Sequence, residues 1–550
     1  MNLGRLWRTV RWLKVRQIAG RLRFRLQRPR LDLRPAPGRR RPSGPWHHPA
    51  EREASLTGPA GMRFLGVEQD LAVIGWDAPD VPLLWRYNQH YFDDLNASDA
   101  AARSAWHQAL VQRWLADNPP GRGTAWAPYP LSLRVVNWIK WFLGGQTPQA
   151  TWLDSLAAQA RWLTQRLEWH LLGNHLFINA KALVFAGLYF QGEEADTWLA
   201  KGLAILQQEL PEQFLPDGGQ FERSPMYHAL GLEDLLDLVQ VVEHLAPAAS
   251  PARALLPDLR ARASRALHWL RCMVHPAGAL VRFNDSADGI APSTAELERY
   301  AQALGIAADP VPAQGAAHLR DTGYARLSQG PAVAFLDLAR VGPDYLPGHA
   351  HADTLSFELS VHGQALLVNR GTSVYGTGTR RLLERGTAAH NTVQLGEWNS
   401  SEVWSGFRVG RRARPRDVSV SDTEARGAHD GYSHLRQRPM HRRHWQMDAA
   451  SLRVDDELLG SSSQPLAEPA TARFHLHPGL ALVPAGPGRW HVVADNRTLA
   501  TAEVLLGTAH VEPWDQARRF GQLQAAQTLA VTLDQGRSAV RWHWPASPDA

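Results

Sequence analysis

Two histidines two residues apart open the stretch Gly348-His349-Ala350-His351-Ala352-Asp353, which runs directly into the alternating apolar and polar segment 354–361. In a strand, residues i and i+2 point to the same face. A strand that begins at the first histidine therefore sets His349 and His351 side by side. Such a pair can hold a metal ion, or one imidazole can move a proton while the other is an anchor. Two exposed histidines at a strand start are the competing reading of a motif this short. A third histidine, His390, lies in Thr387-Ala388-Ala389-His390-Asn391-Thr392-Val393, ahead of another strand. With His351 and one oxygen ligand it would complete a metal site. Asn369, at the end of the returning strand Leu366-Leu367-Val368, is the first candidate for that oxygen. A neutral amide is a poorer ligand for a divalent ion than a carboxylate, and Asp353 is the alternative.

Two polar insertions interrupt the apolar helices of the first half. In Leu172-Gly173-Asn174-His175-Leu176 an amide stands beside an imidazole at a helix start. Both groups can donate to a carboxylate. The second insertion, Gly218 to His228, is dense in ionisable groups (Glu222, Arg223) and ends with Tyr227 opening an apolar helix. Helix capping with buried hydrogen bonding is the competing explanation for each. Trp85-Arg86-Tyr87-Asn88 and Trp126-Ala127-Pro128-Tyr129-Pro130 add aromatic density at helix junctions, in a chain with 22 tryptophans. Indole faces stack on sugar rings, and they also fill helical cores.

Positioning these groups requires two large domains, because 550 residues exceed what one core supports. From about residue 80 to 310 the apolar period is helical, as in Leu153, Leu156, Ala157, Ala160, Leu163 and Leu167, or Leu232, Leu235, Leu236 and Val242. Short Gly/Pro/Asn-rich turns separate these segments, which predicts successive antiparallel helical hairpins. From about 318 the period becomes two, with strands predicted over 324–328 and 332–338 and a turn at His362-Gly363. The expected boundaries are a basic arm over 1–45, a helical domain over 46–315 and an antiparallel β-sandwich over 316–550.

The charge is unevenly placed. Residues 1–45 carry fourteen Lys/Arg against Asp32 alone, so the net +6 of the chain hides an acidic body. That body, and the lack of a nucleic-acid-binding motif, argue against a nucleic-acid partner. Arginines interrupt every apolar run of the arm, which is therefore not a standard signal peptide. Leu3, Leu6, Trp7, Val10 and Leu13 recur at helical spacing. Either residues 1–30 lie on an anionic membrane surface, or they dock on the body with the basic face solvated. Residues 34–49, rich in Pro, Gly and Arg, read as a linker. The one cysteine, Cys272, excludes an intrachain disulfide.

The motifs Trp85-Arg86-Tyr87-Asn88-Gln89-His90-Tyr91-Phe92, Gly173-Asn174-His175, Glu222-Arg223-Ser224-Pro225-Met226-Tyr227-His228, His349 to Phe357 and Ala389-His390-Asn391-Thr392 occur in one order over residues 80–410. Together they resemble the heparinase II/III-type polysaccharide lyases, a group that includes related alginate lyases. The resemblance implies an incomplete (α/α) toroid followed by an antiparallel β-sandwich, with the cleft between them. It implies β-elimination at a uronic acid, in which neutralising the C6 carboxylate is the main electrostatic task. By resemblance, Asn174 and His175 do this, Tyr227 acts as base, acid or both, and His349 contacts substrate and shares the proton transfer. Arg86, Tyr87, Arg134, Glu222 and Arg223 are the expected substrate contacts. An unperturbed tyrosine titrates near about 10, so the role of Tyr227 calls for cationic or hydrogen-bonding neighbours that lower its pKa or deliver its proton.

The resemblance also makes His351 and His390 ligands of a divalent metal, most often zinc, with Asn369 standing where the family has an aspartate. Secreted lyases of this type carry signal peptides, whereas this chain opens with the arginine-rich arm. The expected substrate is an acidic polysaccharide, the expected role bacterial exopolysaccharide synthesis or turnover. The expected location is cytoplasmic or membrane-associated, with the periplasm left open. Two other readings compete: a glycoside hydrolase using Glu222 with Asp217 or Asp353 as paired carboxylates, and a non-catalytic polysaccharide-binding protein.

Overall fold

The computed structural model describes residues 3–461 and 466–547. Its first half is built of helical hairpins. Pro128–Leu143, Gly173–Tyr189 and Pro225–Leu245 pack against one another as an inner layer. Ala150–Gln165, Glu193–Gln213 and Leu256–Cys272 form an outer layer behind them. The inner helix Gly173–Tyr189 is buried on nearly every side, which its all-round apolar sequence requires. This is the incomplete (α/α) toroid. Its inner wall carries a buried charge cluster in which Lys140 and Lys181 bond Asp237, Asp234 and Glu233. Trp114, Trp138, Trp152 and Trp269 are fully buried, so these indoles are core rather than sugar platforms.

In the second half the strands of every sheet pair antiparallel. A five-stranded meander, Gly315–Leu319, Tyr324–Gln329, Ala332–Asp337, Phe357–Val361 and Gln364–Leu367, pairs each strand with the next. An eight-stranded and a four-stranded sheet complete the sandwich around Phe357, Trp445, Phe474 and Trp542. His362 (φ 49°) and Gly363 (φ 82°) make the tight turn read from the sequence.

Three features depart from the sequence reading. The strand after the histidine pair starts only at Phe357. Leu355 adopts φ 63°, and its N–H bonds Asp337 rather than continuing a ladder. His349 and His351 therefore sit on a loop, not on one strand face. Residues 34–49 are no free linker: they run extended along the toroid, where Gly38 and Arg40 bond Gln191 and Tyr189, and Ser43 bonds His244. The arm forms two docked helices, Leu3–Val10 and Val15–Leu26. Arg5 and Arg8 bond Glu402 of the sandwich, while Arg166 of the toroid lies over Phe24 at 3.5 Å. Among the described residues no helix is long and apolar enough to cross a membrane.

Candidate active site

Two helix N-termini face the β-domain loop 343–353. The helix Pro225–Leu245 begins with Ser224 as N-cap, its hydroxyl accepting the Tyr227 N–H at 3.1 Å, and Pro225 at the first position. This cap fixes Tyr227 in the first turn with its side chain half-buried. The backbone just before it is strained. Arg223 has φ 61°, and its carbonyl accepts hydrogen bonds from Asn284 (2.9 Å) and the Tyr324 hydroxyl (2.7 Å). The helix Gly173–Tyr189 follows Leu172 (φ 62°) and Gly173 (φ 52°). A side chain at Gly173 would collide with Leu346 of the β-domain loop and approach Glu222, so glycine permits the close approach here.

Asn174 and His175 occupy that first turn. Asn174 Nδ2 donates to the Tyr129 hydroxyl at 3.1 Å. His175 Nδ1 lies 3.2 Å from Glu168, whose other oxygen accepts from Asn179. Burial by itself would lower the His175 pKa. The Glu168 charge and hydrogen bond, with Glu222 nearby, outweigh it and raise the pKa. His175 is thus biased toward the cation.

On the other side, the His349 ring lies over the Tyr227 ring at 3.9 Å between centroids. The Tyr227 hydroxyl is 3.2 Å from that of Tyr375, and His349 Nε2 is 3.6 Å from Glu222. Of the two expected routes, the lowered tyrosine pKa is not the one this site takes. Burial first, then Tyr375 and Tyr129, raise the Tyr227 pKa well above its ordinary value, so it rests as the phenol. Burial also raises Glu222.

Asp285, from the segment after the last inner-wall hairpin, anchors both histidines. Its Oδ2 accepts from His349 Nδ1 at 2.9 Å and its Oδ1 from His351 Nε2 at 2.8 Å. Arg381 grips the same carboxylate with both terminal nitrogens, and Thr372 adds a hydroxyl at 3.2 Å. Burial opposes ionisation, but Arg381 and the two imidazoles hold Asp285 well below the usual carboxylate range. An ionised Asp285 can only accept. Neutral His349 therefore carries its proton on Nδ1 and keeps its lone pair on Nε2, the nitrogen on the Glu222 side. Neutral His351 carries its proton on Nε2 and presents Nδ1.

His351 Nδ1 is buried without a hydrogen-bond partner, and so are both ring nitrogens of His390. His351, Asp353 and His390 bring ligand atoms within 4.8 Å of one another. The Asn369 oxygen accepts the Asn391 N–H at 3.0 Å, which turns its partnerless Nδ2 away from that bond. An amide N–H₂ cannot ligate a cation.

The remaining expected contacts are scattered. Tyr87 and Arg86 are half-buried at a helix end near Tyr91 and Asp77. Arg134 is fully buried, and its guanidinium is spent on Gln159, His90 and Ala125 while lying over Trp114. Arg223 donates to the Thr322 carbonyl at 2.8 Å. Asp217 holds Thr322 and Gly219, not Glu222. Sequence reasoning passed over Asp285, Arg381, Tyr375 and Glu168. Asp285 sits in Asn284-Asp285-Ser286-Ala287-Asp288-Gly289, which is indistinguishable from an exposed turn.

Family comparison covers both halves of the chain. Residues 95–305 match the heparinase II/III N-terminus model, and residues 311–544 match the heparinase II/III-like C-terminal model. A heparin-sulfate lyase of Bacteroides stercoris is 24% identical over 326 residues, covering 52% of this chain and 44% of the relative. One from Pedobacter heparinus is 25% identical over 338 residues, with 52% and 47% coverage. The chain thus spans about half the length of the curated relatives it matches. The crystal structure of heparinase III superposes with a TM-score of 0.65 at 19% identity, covering 84% of this chain and 77% of that one. A heparan sulfate lyase structure from Pedobacter heparinus gives 0.56 at 16% identity, covering 97% and 88%. With both halves matched in order and the toroid and sandwich both present, the chain belongs to the heparinase II/III family.

Proposed function

We propose that the protein is a polysaccharide lyase that cleaves an acidic, uronate-containing polysaccharide by β-elimination. The observation that carries the reading is the pairing of a tyrosine held as phenol with a histidine ring stacked on it, whose Nδ1 is committed to Asp285 and whose Nε2 is left as the basic nitrogen. Asn174 and His175, whose pKa is raised by Glu168, supply donors for the C6 carboxylate. Neutralising it makes the C5 proton acidic enough to remove. His349 Nε2 takes that proton, the C5–H electrons form the C4–C5 double bond, and the C4–O4 bond breaks. The leaving O4 takes its proton from the Tyr227 hydroxyl. After product leaves, exchange with solvent takes the proton from His349 and returns one to the Tyr227 phenolate, and both groups are restored.

The donor set at His351 Nδ1, His390 and Asp353 suits a divalent cation, with zinc favoured by the two imidazoles. Asp285 would orient the ligating His351 through its other nitrogen, the usual arrangement behind a metal-bound histidine. A bound ion there would tie the loop carrying His349 to the segment carrying His390.

The test is an ultraviolet absorbance screen for the new double bond over heparan-type glycosaminoglycans, alginates and bacterial exopolysaccharides. At least one polymer should give an absorbing product, and Tyr227→Phe should abolish it while far-ultraviolet circular dichroism is unchanged. Reducing ends without absorbance would instead establish a hydrolase. Binding without turnover across the panel would establish a non-catalytic binder.

A further inference from the structure

The helix Val15–Leu26 has two apolar faces. One is docked: Gln17 bonds the Tyr345 carbonyl, Gly20 lies against the His170 backbone, and Phe24 packs on His170 at 4.3 Å beneath Arg166. At about 100° per residue, Val15, Ile18, Leu22 and Leu26 fall on the opposite side within an arc of about 80°. These four side chains are 81%, 53%, 59% and 78% exposed. The preceding helix adds Leu3 and Trp7, 77% and 65% exposed and one turn apart. An exposed apolar stripe on a helix already packed on its other side is not core, and marks a surface that meets something apolar.

The flanks identify that partner. Arg16 and Arg23 border the stripe on one side and Arg25 and Arg21 on the other. Among the described residues no carboxylate lies within ion-pairing distance of these four arginines. Arg16 bonds the neutral Gln208 side chain and lies over Trp169 at 4.4 Å, and Arg23 bonds the neutral Gln27 side chain. An apolar ridge between two rows of unneutralised guanidinium groups is complementary to an anionic lipid bilayer. The ridge enters the acyl boundary while the arginines meet the headgroups. A nucleic acid or an acidic polysaccharide would satisfy the arginines but leave the four aliphatic side chains in water.

We propose that the helix Val15–Leu26 is a membrane-docking surface that holds the folded protein on an anionic bilayer interface. The assignment stands on the arm alone and does not depend on the lyase reading. Because the helix is already formed and anchored to the toroid, docking needs no folding at the membrane. The experiment is co-sedimentation of the full chain with phosphatidylcholine vesicles, with and without phosphatidylglycerol. Binding to the anionic vesicles should be at least about tenfold tighter and should weaken as salt is raised. The triple variant Ile18→Ser/Leu22→Ser/Leu26→Ser should lose about tenfold or more in binding with its thermal transition unchanged. Triple Arg21→Gln/Arg23→Gln/Arg25→Gln substitution should abolish the anionic preference. Parent-like vesicle binding by the triple-serine variant would overturn the proposal. So would a parent dimer in sedimentation velocity that the same variant converts to monomer, since the stripe would then be a self-association face.

Discussion

Replacing Asp285 by asparagine tests the centre of the site, because one carboxylate serves four side-chain donors at once, from His349, His351, Arg381 and Thr372. In the folded protein it is fully buried and paired with Arg381, which is itself completely buried. Asp285→Asn leaves that guanidinium without its counter-charge, and breaking a buried pair from one side costs about 3–5 kcal/mol. This is a large part of the roughly 5–15 kcal/mol by which a typical domain is stable. Denaturant unfolding should show a lower midpoint of that size. A double variant, Asp285→Asn with Arg381→Met, removes both charges and should recover most of the loss. Activity should behave differently. The amide keeps one acceptor oxygen for two imidazoles and has no charge to hold a proton on His349 Nδ1, so turnover should fall by about 10²–10⁴ in both variants, the span of a lost acid–base group. The measurements are denaturant melts and initial rates of double-bond formation. If the double variant is no more stable than the single one, the buried charge is not the cost. If folded Asp285→Asn keeps turnover within a few-fold of the parent, the orientation argument for His349 fails.

Three further outcomes are expected. Gly173→Ala forces a side chain into a left-handed backbone against Leu346; it should cost about 1–2 kcal/mol in a thermal melt and raise KM more than it lowers kcat. For Asp94, burial alone would raise the pKa, but hydrogen bonds from His107, Leu56, Arg103 and Ser55 hold it at about 2 against 3.8 for the free group. A depressed pKa stabilises above the unfolded value, so about 2 kcal/mol should be present at neutral pH and vanish as pH falls from about 4 to 2, and Asp94→Asn should flatten that part of the stability profile. Metal analysis of purified protein should find a bound divalent ion; a chelator should lower the melting temperature, His390→Ala and Asp353→Asn should lose the ion, and Asn369→Ala should keep it, whereas retention in Asp353→Asn would return the third ligand to Asn369.

Much of the architecture was legible because periodicity survives burial. The helical faces around Leu156 and Leu235 and the alternating residues of Phe357–Val361 lie in elements of the type their spacing predicts. The site was legible only where a motif broke that periodicity, as at Gly173-Asn174-His175 and before Tyr227. Side chains that act from loops left no such mark. Asp285 reaches His349 and His351 across 64 and 66 residues of sequence, and nothing local to it signals a buried anion. The strand start was misplaced for a similar reason: the hydrophobic alternation extends back to Leu355, but the Leu355 backbone turns left-handed to meet Asp337. The arm misled through composition. Pro, Gly and Arg are common in linkers, yet here Arg40 and Ser43 spend their backbone groups on helix ends of the toroid.

The ion pairs from Arg5 and Arg8 to Glu402 join residues 397 and 394 positions apart. During synthesis these arginines leave the ribosome long before their partner exists. At about 5–20 residues per second, about 20–80 s pass before Glu402 is made. The toroid, whose contacts lie within a shorter stretch, can close in that interval, and the sandwich completes afterwards. The first helix of the chain is thus among the last to find its place. It acts as a latch that shuts only on a finished molecule, and a chain stalled or misfolded before residue 402 keeps Leu3 and Trp7 on an unanchored segment.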